Sequence, residues 1–143
     1  MTKHRASAQW NGRVPTGTGT MTLGLAGPTI GYNLTARVAE EQGTNPEQML
    51  GAALAGCFSM SLANMIEESG QDMEEVWIAS SAVVHLVGKD DGFWITQVDL
   101  TVSGHAPGSN VADLEAMALK AKDTCPVSKL FASATITLTT EFN

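Results

Sequence analysis

From Met49 to Ile66 the chain runs 18 residues without a charge. That is near the shortest stretch able to cross a bilayer as a helix, so it decides first what kind of chain this is. Small and polar residues interrupt it: Gly51, Gly56, Ser59, Ser61 and Asn64. Its flanks are acidic, with Glu47 before it and Glu67-Glu68 after it, and neither side offers a basic anchor. The stretch therefore reads as the central helix of a soluble protein, apolar nearly all round. Its start is well marked. Asn45 is placed to cap it, Pro46 takes the first helical position and Gln48 stands at N3 of a capping-box variant. Gly70 ends it.

Around this helix the sequence alternates as strands do. Ala6 to Trp10 alternates before an Asn11-Gly12 turn, Thr20 to Leu25 alternates before Gly27-Pro28, and Ile30, Tyr32 and Leu34 mark a third strand. Val76 to Val87 and Phe93 to Val102 flank Lys89-Asp90-Asp91-Gly92 as a hairpin. Asn110 caps a second helix with Asp113 at N3, and Leu114, Met117, Ala118 and Ala121 form its apolar face. Cys125-Pro126 opens another short helical piece, and Ser133 to Phe142 is a last strand. The order is βββ-α-ββ-α-β. Hairpins in place of βαβ units imply an α+β fold with a mainly antiparallel sheet. With no linker, repeat or low-complexity tract, residues 1–143 read as a single domain.

Charge narrows the partners. The formal net charge is −7, whereas nucleic acids and anionic membranes demand clustered Lys and Arg, so neither is expected as a partner. The N-terminus MTKHRASAQW lacks the apolar core of a signal peptide, which points to the cytoplasm. In that reducing compartment a permanent structural disulfide between Cys57 and Cys125 is not expected, and their spacing fits neither a zinc pair nor CxxC. Gly17-Thr18-Gly19 precedes a strand, where a phosphate loop would open a helix, so it reads as a flexible turn. His4, His85 and His105 are scattered without ligand spacing, so no metal is expected, and no motif calls for a cofactor. The bland reading of the cysteines is two small buried hydrophobes, and that of Arg37 and Glu47 is a surface ion pair.

The run RVAEEQGTNPEQMLGAALAGCFSMSLA, followed much later by AKDTCPVSKLF, changes that balance. GTNPE, a cysteine ten residues past its glutamate, and a later CPVS together resemble the OsmC/Ohr family, the osmotically inducible protein C and organic hydroperoxide resistance proteins. The resemblance runs from about Ala6 to the C-terminus. It implies an intertwined homodimer of OsmC-like fold with two sites at the subunit interface. It also implies a thiol peroxidase acting on organic hydroperoxides in stress defence, without a cofactor. An external dithiol, in this family often a dihydrolipoyl protein, would be the reductant. Cys57 matches the peroxidatic cysteine, Cys125 the resolving one and Glu47 the glutamate of GTNPE. The family's arginine falls at Arg37 in OsmC-like members and at Arg13 in Ohr-like ones. The long hairpin and the place of Arg37 make the chain more OsmC-like. The Glu40-Glu41 pair offers Arg37 a competing carboxylate. The alternative from another class is a redox-sensing or small-ligand-binding dimer of the same fold, without turnover.

Physics sets conditions on these roles. A free cysteine has a pKa of about 8.5, and burial in an apolar helix raises it. Lowering it to about 6 takes roughly 3.4 kcal/mol. An arginine at about 4 Å supplies on the order of 4 kcal/mol at an effective dielectric of about 20, so one well-placed guanidinium suffices. Glu47 would hold that guanidinium in bidentate geometry. Ten helical residues rise about 15 Å, so Glu47 is out of reach of Cys57 on a straight helix. Two such helices packed antiparallel about a dyad, crossing at Gly51-Ala52-Ala53, would bring Glu47 of one chain beside Cys57 of the other. Leu54, Phe58, Met60 and Phe131 read as core, with a pocket for an organic tail as the alternative.

Overall fold

The computed structural model describes residues 1–39 and 43–143. They form two compact units, Met1–Met49 and Leu50–Asn143. In the first, strands β1 (Ala6–Asn11), β2 (Thr18–Leu23) and β3 (Thr29–Tyr32) make an antiparallel sheet in that order. β3 stops at Tyr32, two residues short of the expected Leu34, because Asn33 caps a helix that the alternation did not announce, α1 (Leu34–Val38). The Asn33 side chain accepts from the Ala36 N–H at 2.8 Å.

Gly17-Thr18-Gly19 is only in part the turn that was expected. β2 already begins at Thr18, and Gly19 pairs with both Trp10 and Tyr32. The two aromatic rings meet over it with centroids 5.5 Å apart. A methyl group on Gly19 would stand 2.5 Å from Tyr32 Cε1 and 2.7 Å from Trp10 Cε3. Gly19→Ala is therefore expected to destabilise the protein by about 1–3 kcal/mol, measurable as a lowered urea midpoint.

A long helix, α2 (Pro46–Glu68), follows. Its start is as the sequence announced. Asn45 Oδ1 accepts from Gln48 N–H at 2.8 Å, and Gln48 Oε1 accepts from Asn45 N–H at 3.1 Å. Pro46 at N1 gives up no needed donor. By length and composition α2 could cross a membrane. Leu54, Phe58, Leu62 and Ile66, one per turn, are instead buried in a protein core.

The second unit holds β4 (Trp77–Lys89), β5 (Gly92–His105), α3 (Val111–Thr124), α4 (Pro126–Leu130) and β6 (Thr135–Phe142). β4 and β5 form the expected hairpin. β5 and β6 pair in parallel, which the hairpin reading did not foresee. The intervening α3 and α4 make this a βαβ connection, the only short route between parallel neighbours. Buried Val98, Leu100 and Val102 alternate along β5, and with the α2 stripe and Leu114, Ala118 and Ala121 of α3 they make one core. Gly51 is buried against β4: a methyl group there would lie 3.3 Å from Val84 Cγ2. Gly51 is thus used for close approach to the sheet, not left free for a helix crossing. Ala52, Ala53, Gly56, Met60 and Asn64, by contrast, leave a second stripe of α2 exposed.

The open face of the same sheet carries Asp99 between buried Val98 and Leu100. Its Oδ1 accepts from Thr137 Oγ1 and Gln97 Nε2, each at 2.6 Å, and its Oδ2 lies 2.6 Å from His85 Nε2. The Thr137 hydroxyl, then Gln97 and His85, hold the carboxyl down to about 2. A carboxyl lowered by folding stabilises above the ordinary value near 4, and that contribution disappears as the pH falls toward about 2. Asp99→Asn should lower the urea midpoint at pH 6, and the gap to wild type should close between about pH 4 and pH 2.

Candidate active site

Cys57 lies on α2 one residue before buried Phe58, and is itself half-buried. Cys125 is 1% exposed and sits where α3 ends and α4 begins. Both are free thiols. The first turn of α4 brings them together. Pro126 at N1 has no N–H, so the first free donors of the helix belong to Val127 and Ser128. The Val127 N–H and the Cys125 thiol both lie near enough to the Cys57 thiol to act on its ionisation. The Ser128 N–H bonds Cys125 Sγ at 3.3 Å, so this sulfur takes the place of the usual capping oxygen. Ser128 Oγ lies 3.0 Å from the same sulfur.

The effects on Cys57 oppose one another. Burial pushes its thiol up, the Val127 N–H pulls it down, and the neighbouring Cys125 pushes it up again; burial is the largest and the net shift is upward. Within this unit Cys57 is a poor thiolate, and a cation is still required for it to act as a nucleophile at neutral pH.

The candidate cation belongs to the first unit. Arg37 stands in the last turn of α1, and its Nε and Nη2 reach Glu47 Oε1 at 3.0 and 2.7 Å. Both donors converge on one oxygen, which corrects the expected bidentate pairing. Glu47 Oε2 is buried and has no hydrogen-bond partner among the described residues. With Arg37 42% exposed, such a pair adds about 1 kcal/mol or less to stability, too little to account for a carboxylate held at 11% exposure with one oxygen unsatisfied. Arg13 is exposed in the loop after β1, where its carbonyl accepts from Thr16 and Gly17. Glu40 and Glu41 lie outside the described residues.

Asn45 does more than its position at the helix start suggests. It is 6% exposed, and besides capping α2 its amide donates to the Ala36 carbonyl at 2.7 Å. This fixes the residue next to Arg37 against the residue two before Glu47. An acceptor alone would cap the helix, and Ser, Thr or Asp would serve; Asn adds an NH2 donor on an atom separate from its capping oxygen, which is what the second bond uses. Asn45→Asp keeps the cap but sets a carboxylate against a carbonyl. It is expected to cost about 1–3 kcal/mol in the urea midpoint.

A cavity of about 170 Å³ adjoins Arg37, lined by Trp10, Val14, Tyr32, Leu34 and Pro46. The four residues weighed for an apolar pocket lie elsewhere. Leu54 and Phe58 are wholly buried, Phe131 packs on the core, and Met60 is 76% exposed. Among the described residues no group of three or more His, Cys, Asp or Glu is arranged to hold a metal ion.

Comparison with known proteins speaks to the family and the fold. The family described as OsmC-like protein matches residues 39–141. Peroxiredoxin OsmC of Escherichia coli is 38% identical over 142 residues, 96% of each chain. A solved OsmC-like protein of unknown function from Vibrio cholerae superposes with a TM-score of 0.77 over 100% of both chains at 19% identity. An organic hydroperoxide resistance protein OsmC from Legionella pneumophila gives 0.71 over 99% of both chains at 22% identity. At such identities the structures speak for the fold, and the sequence relatives for descent: the chain belongs to the OsmC-like protein family.

Proposed function

We propose that this chain is a thiol-dependent peroxidase that reduces organic hydroperoxides to alcohols, working as a cytoplasmic homodimer in stress defence. The observation that carries the reading is the meeting of Cys57 and Cys125 at the first turn of α4. The naming of an E. coli relative as a peroxiredoxin supports it. In the first step the Cys57 thiolate attacks the terminal peroxide oxygen. The O–O bond breaks, alkoxide leaves and takes up a proton as alcohol, and Cys57 becomes a sulfenic acid. Cys125 then attacks that sulfur, a disulfide forms and water departs. A dithiol, such as a dihydrolipoyl group, returns both sulfurs to thiols and is itself oxidised to a disulfide.

Arg37 activates Cys57 in this scheme, and Glu47 holds Arg37. Because Cys57 stands ten positions past Glu47 on one helix, the pair acts on Cys57 of a partner subunit. The exposed stripe of Ala52, Ala53, Gly56 and Met60 suits close packing against a second copy, with the crossing shifted off Gly51. The cavity beside Arg37 takes the organic tail. The nearness of Cys57 to Cys125 also suits a second reading, a redox-sensing dimer whose disulfide forms once per signal. Consumption of tert-butyl hydroperoxide with excess dihydrolipoamide decides between them. Many turnovers that vanish in Cys57→Ser are expected. One equivalent consumed per chain, with every dithiol tried, would leave the sensor.

A further inference from the structure

Ser128 has no part in the scheme so far, yet it is the residue most closely engaged with Cys125. It is 7% exposed, and its N–H lies 3.3 Å and its Oγ 3.0 Å from Cys125 Sγ. A neutral thiol is a weak acceptor and has little use for two donors. A thiolate uses both. The moment at which Cys125 must carry charge is the cleavage of its disulfide with Cys57.

We propose that Ser128 is a positioning residue that makes Cys125 the leaving sulfur when the disulfide is reduced, so that the reductant joins Cys57. The proposal rests on the peroxidase reading only for the physiological origin of the disulfide. In the step itself a reductant thiolate attacks Cys57 Sγ. The Cys57–Cys125 bond breaks and a Cys57–reductant disulfide forms. Cys125 leaves with the electron pair as a thiolate, bonded by the Ser128 N–H and O–H. The second thiol of a dithiol then attacks its own sulfur in the mixed disulfide, expelling Cys57.

Access and leaving-group chemistry select the same sulfur. Cys57 is half-buried and Cys125 is 1% exposed, so an incoming thiolate reaches Cys57 first. As leaving groups, Cys125 has two donors from Ser128, whereas Cys57 has the single Val127 N–H. Exchange is faster when the departing sulfur carries charge more easily.

The test forms the disulfide with diamide, which takes two electrons from the dithiol and needs no hydroperoxide. The oxidised protein is then treated with 2-mercaptoethanol, quenched in acid, alkylated and digested with trypsin. Cys125 lies in the peptide DTCPVSK and Cys57 in the long peptide ending at Lys89, so the mixed disulfide is mapped by mass. In wild type it is expected on Cys57, and mapping it to Cys125 would overturn the proposal without any variant. Ser128→Ala should slow reduction roughly tenfold and spread the mixed disulfide onto Cys125, while Ser128→Thr restores the wild-type pattern. Unchanged rate and position in Ser128→Ala, or equal loss in both variants, would also overturn it. So would failure of diamide to join the two sulfurs. A normal diamide result beside a lack of oxidation by tert-butyl hydroperoxide would leave the Ser128 assignment standing and remove the peroxidase reading instead.

Discussion

Mixing Arg37→Ala chains with Cys57→Ser chains should recover hydroperoxide turnover from two nearly inactive proteins. Each variant alone is expected to fail for its own reason. Cys57→Ser lacks the nucleophile. Arg37→Ala keeps it, but burial and the adjacent Cys125 then leave the thiol raised, with only the Val127 N–H in opposition. Losing roughly 3–4 kcal/mol of thiolate stabilisation corresponds to a rate lower by about 100- to 1,000-fold near pH 7. In a mixed dimer the Arg37→Ala chain offers an intact Cys57 to the intact Arg37 of the Cys57→Ser chain. Random pairing makes half the dimers mixed, each with one complete site, so recovery of about a quarter of wild-type activity is expected. Co-expression with two different tags guarantees the pairing, and the doubly tagged fraction should reach about half. No recovery in that fraction would mean that Arg37 and Cys57 do not meet across subunits. The same variants give a second readout. Alkylation of Cys57 in Arg37→Ala should rise about tenfold per pH unit from 7 toward 9, where wild type is already flat.

What the sequence made legible was local. Asn45-Pro46-Gln48 and Asn110-Asp113 announce their helices because a cap is a contact over three residues, and both caps form as read. The apolar face of α3 follows from a spacing of three and four. Contacts between distant segments left no such trace. The parallel pairing of β6 with β5 joins residues 38 apart, such as Asp99 and Thr137, and alternation says nothing of a strand's neighbour. α1 has five residues, too few for a helical period to show. Gly19 looked like a turn glycine because glycine carries one symbol for two uses, freedom of φ and absence of a Cβ. Here the absence of a Cβ matters, since two rings occupy the space. In the site, Cys57, Cys125, Arg37 and Glu47 were named through the motif, not through their chemistry. Their geometry was not legible: the convergence of both Arg37 donors on Oε1, the buried Oε2 and the two hydrogen bonds between Ser128 and Cys125 depend on side-chain placement in space.

Cys125→Ser should separate the two halves of the reaction cleanly, because serine is a favoured N-cap. Cys125 Sγ caps α4 by accepting from the Ser128 N–H at 3.3 Å, a long bond to a weak acceptor. A serine oxygen in its place is a better acceptor, so the variant should melt no lower than wild type, and the loss of activity reads as chemistry. The first oxidation should be at least as fast, since Cys125 is one of the influences that push the Cys57 thiol up. The reaction then stops. With no thiol beside it, Cys57 sulfenic acid cannot close a disulfide, and a sulfenic-acid probe such as dimedone should add to Cys57 nearly quantitatively after one equivalent of hydroperoxide. In wild type the same probe should compete poorly with Cys125, which already meets Cys57 at the first turn of α4. Turnover with dihydrolipoamide should fall by about tenfold or more, because the reductant must now find the sulfenic acid directly. Excess hydroperoxide should carry Cys57 on to sulfinic acid, a mass gain of two oxygens that reductant does not reverse. Full turnover in Cys125→Ser, with no dimedone adduct, would mean that the second sulfur plays no part and that an external thiol resolves Cys57 in the wild type as well.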